Sequence, residues 1–383
     1  MSIFELSVEE QELTNNLSQI IQAEIVANKG MVSFSRYMEL ALYHPSYGYY
    51  NNAREKFGAK GDFITAPMIG DLFANTVAKQ IKQLIANQVK PEILEFGAGN
   101  GELANVLLSK LAHQIDKYYI LELSGVLADI QKQKLQKSHP KFYDKIIWLQ
   151  ELPSEFSGII LANEVLDAQP CKVVKFKIPI DLYEMQVGFN NDRFNFIETT
   201  LDPKLANSEI LPQLPYSDYI TEIHPSNAAF MQSLDQLITR GVVLFFDYGY
   251  GKTEYYAPWR NRGSLRGFFR HHQLDDVLIY PGLIDITSSV NFSLIYESAT
   301  ANNGLELIGY TTLANFLINC GLLEDSLANY PDELTKLKLN NAINYLTSPN
   351  EMGEAFKVMA LSKNIDFADY MGFMTQDRSY TLS

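Results

Sequence analysis

The segment Pro91-Glu92-Ile93-Leu94-Glu95-Phe96-Gly97-Ala98-Gly99-Asn100-Gly101-Glu102 constrains the fold more than any other part of the chain. A largely apolar run reads as a buried strand, three alternating glycines follow, and a helix-like sequence comes next. Such a chain turns sharply and passes close to another group, and a Cβ there would obstruct both. The same strand, turn and helix pattern continues downstream. Strands are expected at 93–96, 119–122, 146–149 and 159–162, and helices at 102–113 and 126–138. Val242-Val243-Leu244-Phe245-Phe246-Asp247 is the clearest later buried strand, and 356–361 is expected to close the sheet. Strands alternating with helices imply an α/β fold with a parallel sheet whose ligands lie at the carboxyl ends of the strands.

The glycine spacing narrows the ligand. A dinucleotide loop reads G-x-G-x-x-G and turns its helix N-terminus toward a pyrophosphate. Here the pattern is G-x-G-x-G, with Glu102 directly after it. A carboxylate at that mouth opposes a phosphate, so the loop suits a ligand without one. S-adenosylmethionine fits, with its adenosine, sulfonium and amino-acid tail. The expected second strand ends in Glu122, 21 positions after Gly101, near the roughly 20 that place an acid on ribose hydroxyls. Gly97, Gly99, Gly101 and Glu122 are therefore expected cofactor residues. Glu95 is a further candidate, facing the ligand's ammonium group, though an acid at a strand end also caps neighbouring loops. The glycines alone also fit a tight turn that binds nothing.

With 383 residues the chain is long enough for a large core and more than one unit. A net charge of −14 argues against a general nucleic-acid binder, because neutralising phosphates needs a basic surface. Cys171 and Cys320, the two cysteines, form neither a disulfide framework nor a metal spacing. No apolar run reaches the length of a membrane span. The acidic start, without a basic or arginine-rich leader, leads to an expected cytoplasmic location. No metal is expected.

Four regions are expected along the chain. Residues 1–88 form an N-terminal helical, cofactor-covering extension, with helices at 8–28, 35–43 and 69–87 around an aromatic, glycine-rich loop. Residues 89–170 form the first half of the ligand-binding α/β domain. Residues 171–240 form an inserted β-rich substrate region, with antiparallel strands at 173–176, 182–189 and 194–199 and a turn at Asn190-Asn191-Asp192. Residues 241–383 form the second half, with a long loop after Tyr248 and a helix near 312–320.

Three clusters can carry chemistry. Asn163-Glu164-Val165-Leu166-Asp167-Ala168-Gln169-Pro170 leaves the fourth strand at the ligand edge. If this segment is helical, Glu164 and Asp167 share one face, able to hold a cation or take a proton. Acids favoured at a helix N-terminus give the same pattern. In the 61–67 loop, Asp62 and Thr65 are placed to bond the cofactor while Phe63 covers it, a pattern that an ordinary turn shares. Asp247 ends a buried strand and is a candidate site acid. The locally basic stretch that follows, with Arg260, Arg262, Arg266, His271 and His272 among aromatics, suits a substrate lid, a partner surface or a solvated loop equally. The paired histidines lack ligands at zinc spacing.

Taken in order, these blocks resemble the MidA-like family of S-adenosylmethionine-dependent methyltransferases. The likeness covers about residues 33–361 and rests on Tyr43-His44-Pro45, the 61–67 loop, the glycine loop, Asn163 to Pro170, Phe246-Asp247-Tyr248-Gly249-Tyr250, Gly263-Ser264-Leu265-Arg266, and Pro281-Gly282-Leu283-Ile284-Asp285-Ile286-Thr287. The resemblance implies a Rossmann-like, seven-stranded methyltransferase sheet with S-adenosyl-L-methionine as cofactor. Mitochondrial members of the family methylate an arginine of a respiratory complex I subunit during assembly. The implied partner is thus a protein substrate, a respiratory subunit among the candidates, and a homodimer is the expected assembly.

Glu164 and Asp167, then Asp247, become the expected catalytic acids, because carboxylates hold a planar guanidinium bidentately. Asn163 joins the cofactor residues. The chain departs from the family at Met68, at Gly267-Phe268 and at Ser288-Ser289-Val290-Asn291, positions that bear on the substrate more than on the cofactor. Two competing readings are an assembly protein that binds the cofactor without turnover and a methyltransferase acting on a small molecule.

Overall fold

In the computed structural model, the apolar runs build one sheet that is buried on both faces. Residues 4–52, 54, 56, 62, 65–177, 181–206, 214, 217–327 and 332–383 are described. The chain divides into two compact units, one of residues 1–63, 168–227 and 253–289, the other of residues 64–167, 228–252 and 290–383.

The second unit carries the sheet. Its strands in chain order are Glu92–Phe96, Lys117–Leu121, Ile146–Leu149, Phe156–Asn163, Ile238–Tyr250, Glu306–Thr312 and Phe356–Lys363. Numbered one to seven, they lie side by side in the order 6-7-5-4-1-2-3. The first five are parallel, and the seventh runs antiparallel to both of its neighbours. Side chains alternate between two cores. Ile93, Ile159, Val242, Leu244 and Val358 enter one cluster with Leu103, Leu107, Phe73 and Val77. Leu94, Ile160, Val243, Phe245 and Met359 enter the other with Leu234, Phe292 and Ile295. Period-two alternation into two apolar layers explains why these strands read as unbroken hydrophobic runs.

The expected strand positions hold, with ends shifted by a few residues. Three expectations are corrected. The sheet has eight strands rather than seven, since Val290–Asn291 pairs alongside Gly249 and Tyr250. The 356–361 segment does not close the sheet but lies inside it, and the edge is Glu306–Thr312. That edge strand went unread because Gly309 sits at a register shift within it, and glycine lowers any strand signal. The stretch after Tyr248, expected to be a long loop, contains a three-stranded antiparallel sheet of Arg266–Phe269, His272–Leu274 and Asp285–Thr287. Arg270 and His271, at φ 49° and 62°, form its two-residue hairpin turn, the conformation that matches the strand twist.

The first unit holds that small sheet together with the inserted antiparallel strands. Lys172–Lys177, Asp181–Asn190, Arg193–Thr200 and Tyr219–Ile223 pair with one another, and Val32–Ser33 joins at one side. Helices Val8–Ala27 and Phe34–Tyr43 supply Leu17, Ile21, Phe34, Tyr37 and Met38 to the same core as Val173, Val187 and Phe269. Among the described residues no helix is long and apolar enough to cross a membrane.

Candidate functional site

The sheet order places a crevice. From the first strand the chain winds outward to the second and third, then returns to lay the fourth on the opposite side of the first. The connection after the first strand lays the helix Glu102–Leu111 on one face and the connection after the fourth brings Pro225–Leu237 onto the other, which opens a gap at the carboxyl ends of these two strands. The register aligns Leu121 and Ala162 with Phe96, and Phe246 with Asn163. One residue further, Gly97 lies between Glu122 and Asn163, each about 5 Å away across the sheet.

Gly97, Gly99 and Gly101 all have left-handed backbones, with φ of 60°, 55° and 76°. This alternation is why glycine recurs at every second position, since any other residue would be strained there. The glycines differ in surroundings. A Cβ added at Gly101 would meet Gln131 at 3.4 Å, so this glycine seats the helix Glu102–Leu111 against its neighbour. Among the described residues a Cβ at Gly97 would meet Val165 alone, at 3.6 Å, so that with respect to them this side of the turn is open to a ligand. Close by, Asn163 Oδ1 is buried with no hydrogen-bond partner among the described residues. An open glycine cradle, an unanswered amide oxygen and the acids Glu95 and Glu122 suit a ligand carrying cationic and hydroxyl groups. Glu102 is ion-paired with Lys134 at 2.7 Å, so its contribution against phosphate is weaker than its position in the sequence suggested.

Glu122 and Glu95 are buried and differently held. Glu122 accepts from the Ser124 N–H and from Gln131 Nε2, both at 2.9 Å. Gln131 also donates to the Gly99 carbonyl at 2.9 Å and accepts from Trp148 Nε1 at 3.0 Å. This glutamine, which sequence reasoning missed, fixes the glycine loop to Glu122. Only its place on the helix Gly125–Ser138 hinted at it. Burial raises the Glu122 carboxyl above the usual range, against the pull of the bonds from Ser124 and Gln131.

Glu95 accepts from the Tyr118 hydroxyl at 2.7 Å. Burial pushes its carboxyl up to about 7; the Tyr118 bond opposes the rise and Glu122 adds to it. Because the folded value exceeds the ordinary 4.5, the stability this group lends is complete below pH 4.5 and is lost as the pH rises through about 7. Glu95→Gln should therefore be more stable than the wild type at about pH 8, by on the order of 2–3 kcal/mol, and match it near pH 4.5. Thermal melts across this range test it; parallel curves for the two proteins would refute it.

The structure gathers the three expected catalytic acids in one place. The fourth strand ends at Asn163, and residues 164–167 form a turn rather than the helix considered from sequence. Glu164 has φ 53°, a strained conformation for a residue with a Cβ. Its N–H reaches the Phe246 carbonyl at 2.8 Å, and Asn163 Nδ2 donates to its Oε1 at 3.1 Å. Asp247 holds the turn from below. Its Oδ2 accepts the N–H groups of Val165, Leu166 and Asp167 at 3.2, 2.9 and 3.3 Å, and its Oδ1 that of Tyr248 at 2.9 Å. Burial raises the Asp247 carboxyl well above the usual range, and the charges of Asp167 and Glu164 add to the rise.

Two further expected cofactor residues are Thr65 and Asp62. Thr65 precedes the short turn Ala66–Met68 in the second unit and makes no capping bond with its side chain. Asp62 belongs to the first unit. There its carboxylate accepts from the Tyr49 hydroxyl at 3.0 Å and the Arg270 N–H at 2.7 Å, with Arg54 at 3.6 Å. Phe63 and residues 57–61 lie outside the described residues. His271 and His272 are exposed in and beside the hairpin turn.

Known proteins bear on this geometry. Residues 72–311 match the family of S-adenosyl-L-methionine-dependent methyltransferases. The mouse mitochondrial protein arginine methyltransferase NDUFAF7 is 29% identical over 88% of this chain and 82% of its own length. The Caenorhabditis elegans homologue is 27% identical over 93% and 88%. A Burkholderia thailandensis protein, crystallised with S-adenosyl-homocysteine, is 36% identical, covers 99% of this chain and 100% of its own, and superposes with a TM-score of 0.91. These curated relatives are named mitochondrial proteins, which overturns the expected cytoplasmic location. A leader is a removable, variable segment, so the first residues of a sequence are a poor guide to compartment. The chain belongs to the S-adenosyl-L-methionine-dependent methyltransferase family.

Proposed function

We propose that the protein methylates an arginine side chain of a protein substrate. The observation that carries this reading is Glu164, kept in a strained backbone conformation beside the cofactor crevice by the bonds of the following turn to Asp247. Strain of this kind costs about 1–3 kcal/mol and persists where the surrounding structure imposes it, most often at functional positions. The names of the curated relatives as protein arginine methyltransferases support it. So does the strand order 6-7-5-4-1-2-3, which reads as the seven-stranded methyltransferase sheet with Val290–Asn291 added.

S-adenosylmethionine, when bound, supplies a methyl group already activated on a sulfonium. The chain's own tasks are alignment and charge. The glycine loop and Asn163 bind the amino-acid tail, Glu95 faces its ammonium, and Glu122 takes the ribose hydroxyls. Thr65 is a further cofactor contact in this proposal. Glu164 and Asp167 accept N–H groups of the guanidinium and hold one nitrogen toward the methyl group, while Asp247 positions both by fixing their turn. A respiratory-complex subunit as acceptor and a homodimeric assembly belong to the same proposal.

The test is transfer of labelled methyl from S-adenosylmethionine to arginine-bearing proteins and peptides, read as methylarginine after hydrolysis. Label in methylarginine is expected. Label in another side chain or a small molecule would overturn the arginine reading, and cofactor binding without any transfer would favour an assembly role.

A further inference from the structure

Glu95 stands two residues before Gly97 on the first strand, on the same face of the sheet as Ile93. The residue is 3% exposed. Among the described residues its carboxyl has one hydrogen-bond donor, the Tyr118 hydroxyl at 2.7 Å, and no ion-pair partner.

The elements packed around it bring no cation. From the second strand come Tyr118 and, just past its end, Glu122. The fourth strand sets Leu161 beside it. The helices on this face, Leu72–Ala86 and Glu102–Leu111, turn Phe73, Val77, Leu103 and Leu107 inward. Their charged groups lie elsewhere. Lys79 donates to the Gly321 carbonyl at 2.9 Å, Glu102 pairs with Lys134, and Lys82 and Lys110 are exposed.

A carboxylate out of water and without a cation is far costlier than a carboxylic acid, so such a group keeps its proton. The neighbouring acid strengthens this. Glu95 lies opposite Ile120, which puts the Cα of Glu122 about 8 Å away across the strands. Two buried acids this close disfavour each other's charge. Glu122 has two N–H donors and Glu95 one hydroxyl, so the charge stays on Glu122 and the proton on Glu95. The rise of the Glu95 carboxyl to about 7, caused first by burial, agrees.

We propose that Glu95 is a proton-holding specificity residue for the cofactor: a carboxylic acid in the free protein, it gives its O–H proton to solvent when an ammonium-bearing adenosyl ligand docks. This rests on the reading of Glu95 as the residue that faces the ammonium. No other bond changes. The carboxylate left behind pairs with the arriving cation, and the buried charge is neutralised within the pair. A ligand without the ammonium does not displace the proton. The ligand amine is already charged below about pH 7.7, so in that range affinity follows Glu95 and falls as the pH drops through about 7.

Isothermal titration with S-adenosylhomocysteine, in buffers of different ionisation enthalpy, counts the protons released. At pH 6 the wild type should release roughly 0.9 per ligand, and its dissociation constant should rise about 25-fold from pH 7.5 to pH 5.5. 5′-Methylthioadenosine, which keeps the adenosine and thioether and lacks the amino-acid tail, should bind with no release. In Tyr118→Phe the bond that favours the carboxylate is gone, so release at pH 7 should climb from about one half toward one. Glu95→Gln should release none. A second measurement needs no ligand: the infrared stretch of protonated carboxyls at pH 6 should lose one group's intensity in Glu95→Gln. No release by the wild type, release that persists in Glu95→Gln, or a carboxyl stretch unchanged by that substitution overturns the proton-holding role. Equal release with the two ligands, abolished for both in Glu95→Gln, leaves the proton on Glu95 and removes the ammonium reading.

Discussion

Glu164→Gln is expected to lower kcat for arginine methylation by about 10³-fold, roughly 4 kcal/mol of transition-state stabilisation, with S-adenosylhomocysteine affinity unchanged. The amide keeps the volume of the side chain and can still accept the 3.1 Å bond from Asn163 Nδ2. It loses the negative charge that holds a guanidinium and that accepts the proton the nitrogen gives up as the methyl leaves the sulfonium, which becomes a neutral thioether. The turn is not disturbed, because its N–H groups are held by Asp247 and not by Glu164. The readout is the split between the two measurements. Transfer at the wild-type rate would remove Glu164 from the reaction, and a parallel loss of cofactor affinity would reassign it to the cofactor cradle.

Gly99→Val is expected to raise the dissociation constant for S-adenosylhomocysteine at least about 100-fold, close to 2.7 kcal/mol. Two effects act together. Gly99 has φ 55°, where a β-branched residue costs about 1–2 kcal/mol or more in backbone strain. The loop is also tied through the Gly99 carbonyl to Gln131, so a shift that relieves the strain disturbs Glu122 as well. Isothermal titration measures the affinity and a thermal melt reports whether the fold survives. A folded variant that binds with wild-type affinity would dismiss the glycine loop as the cofactor site.

Much of this site was legible before any tertiary structure. Gly97, Gly99 and Gly101 announce left-handed turns because only glycine takes that conformation without strain, and the structure has all three there. Glu122 and Asn163 stand at strand ends that hydrophobic runs located to within a residue or a few, whereas Asp247, expected to end its strand, lies three residues inside it because pairing continues to Tyr250. Other features were illegible for identifiable reasons. The strand Glu306–Thr312 is broken by Gly309 at its register shift. Gln131 lies on an amphipathic helix whose composition gives no hint that one buried amide bridges the glycine loop, Glu122 and Trp148. The turn at 164–167 looked helical because acids at a helix start and acids in a tight turn share a sequence pattern.

The sequence alone therefore determined the class of the chain, a parallel α/β sheet with a glycine turn suited to S-adenosylmethionine, because backbone sterics and apolar periodicity are local properties. Tertiary structure decided what the acids do. Asp247 lies 80 positions beyond Asp167, and only the parallel pairing of their strands brings its carboxylate under the turn that strains Glu164. The winding reversal between the first and fourth strands likewise sets Gly97 beside Asn163, an adjacency that depends on strand order and that no local pattern encodes.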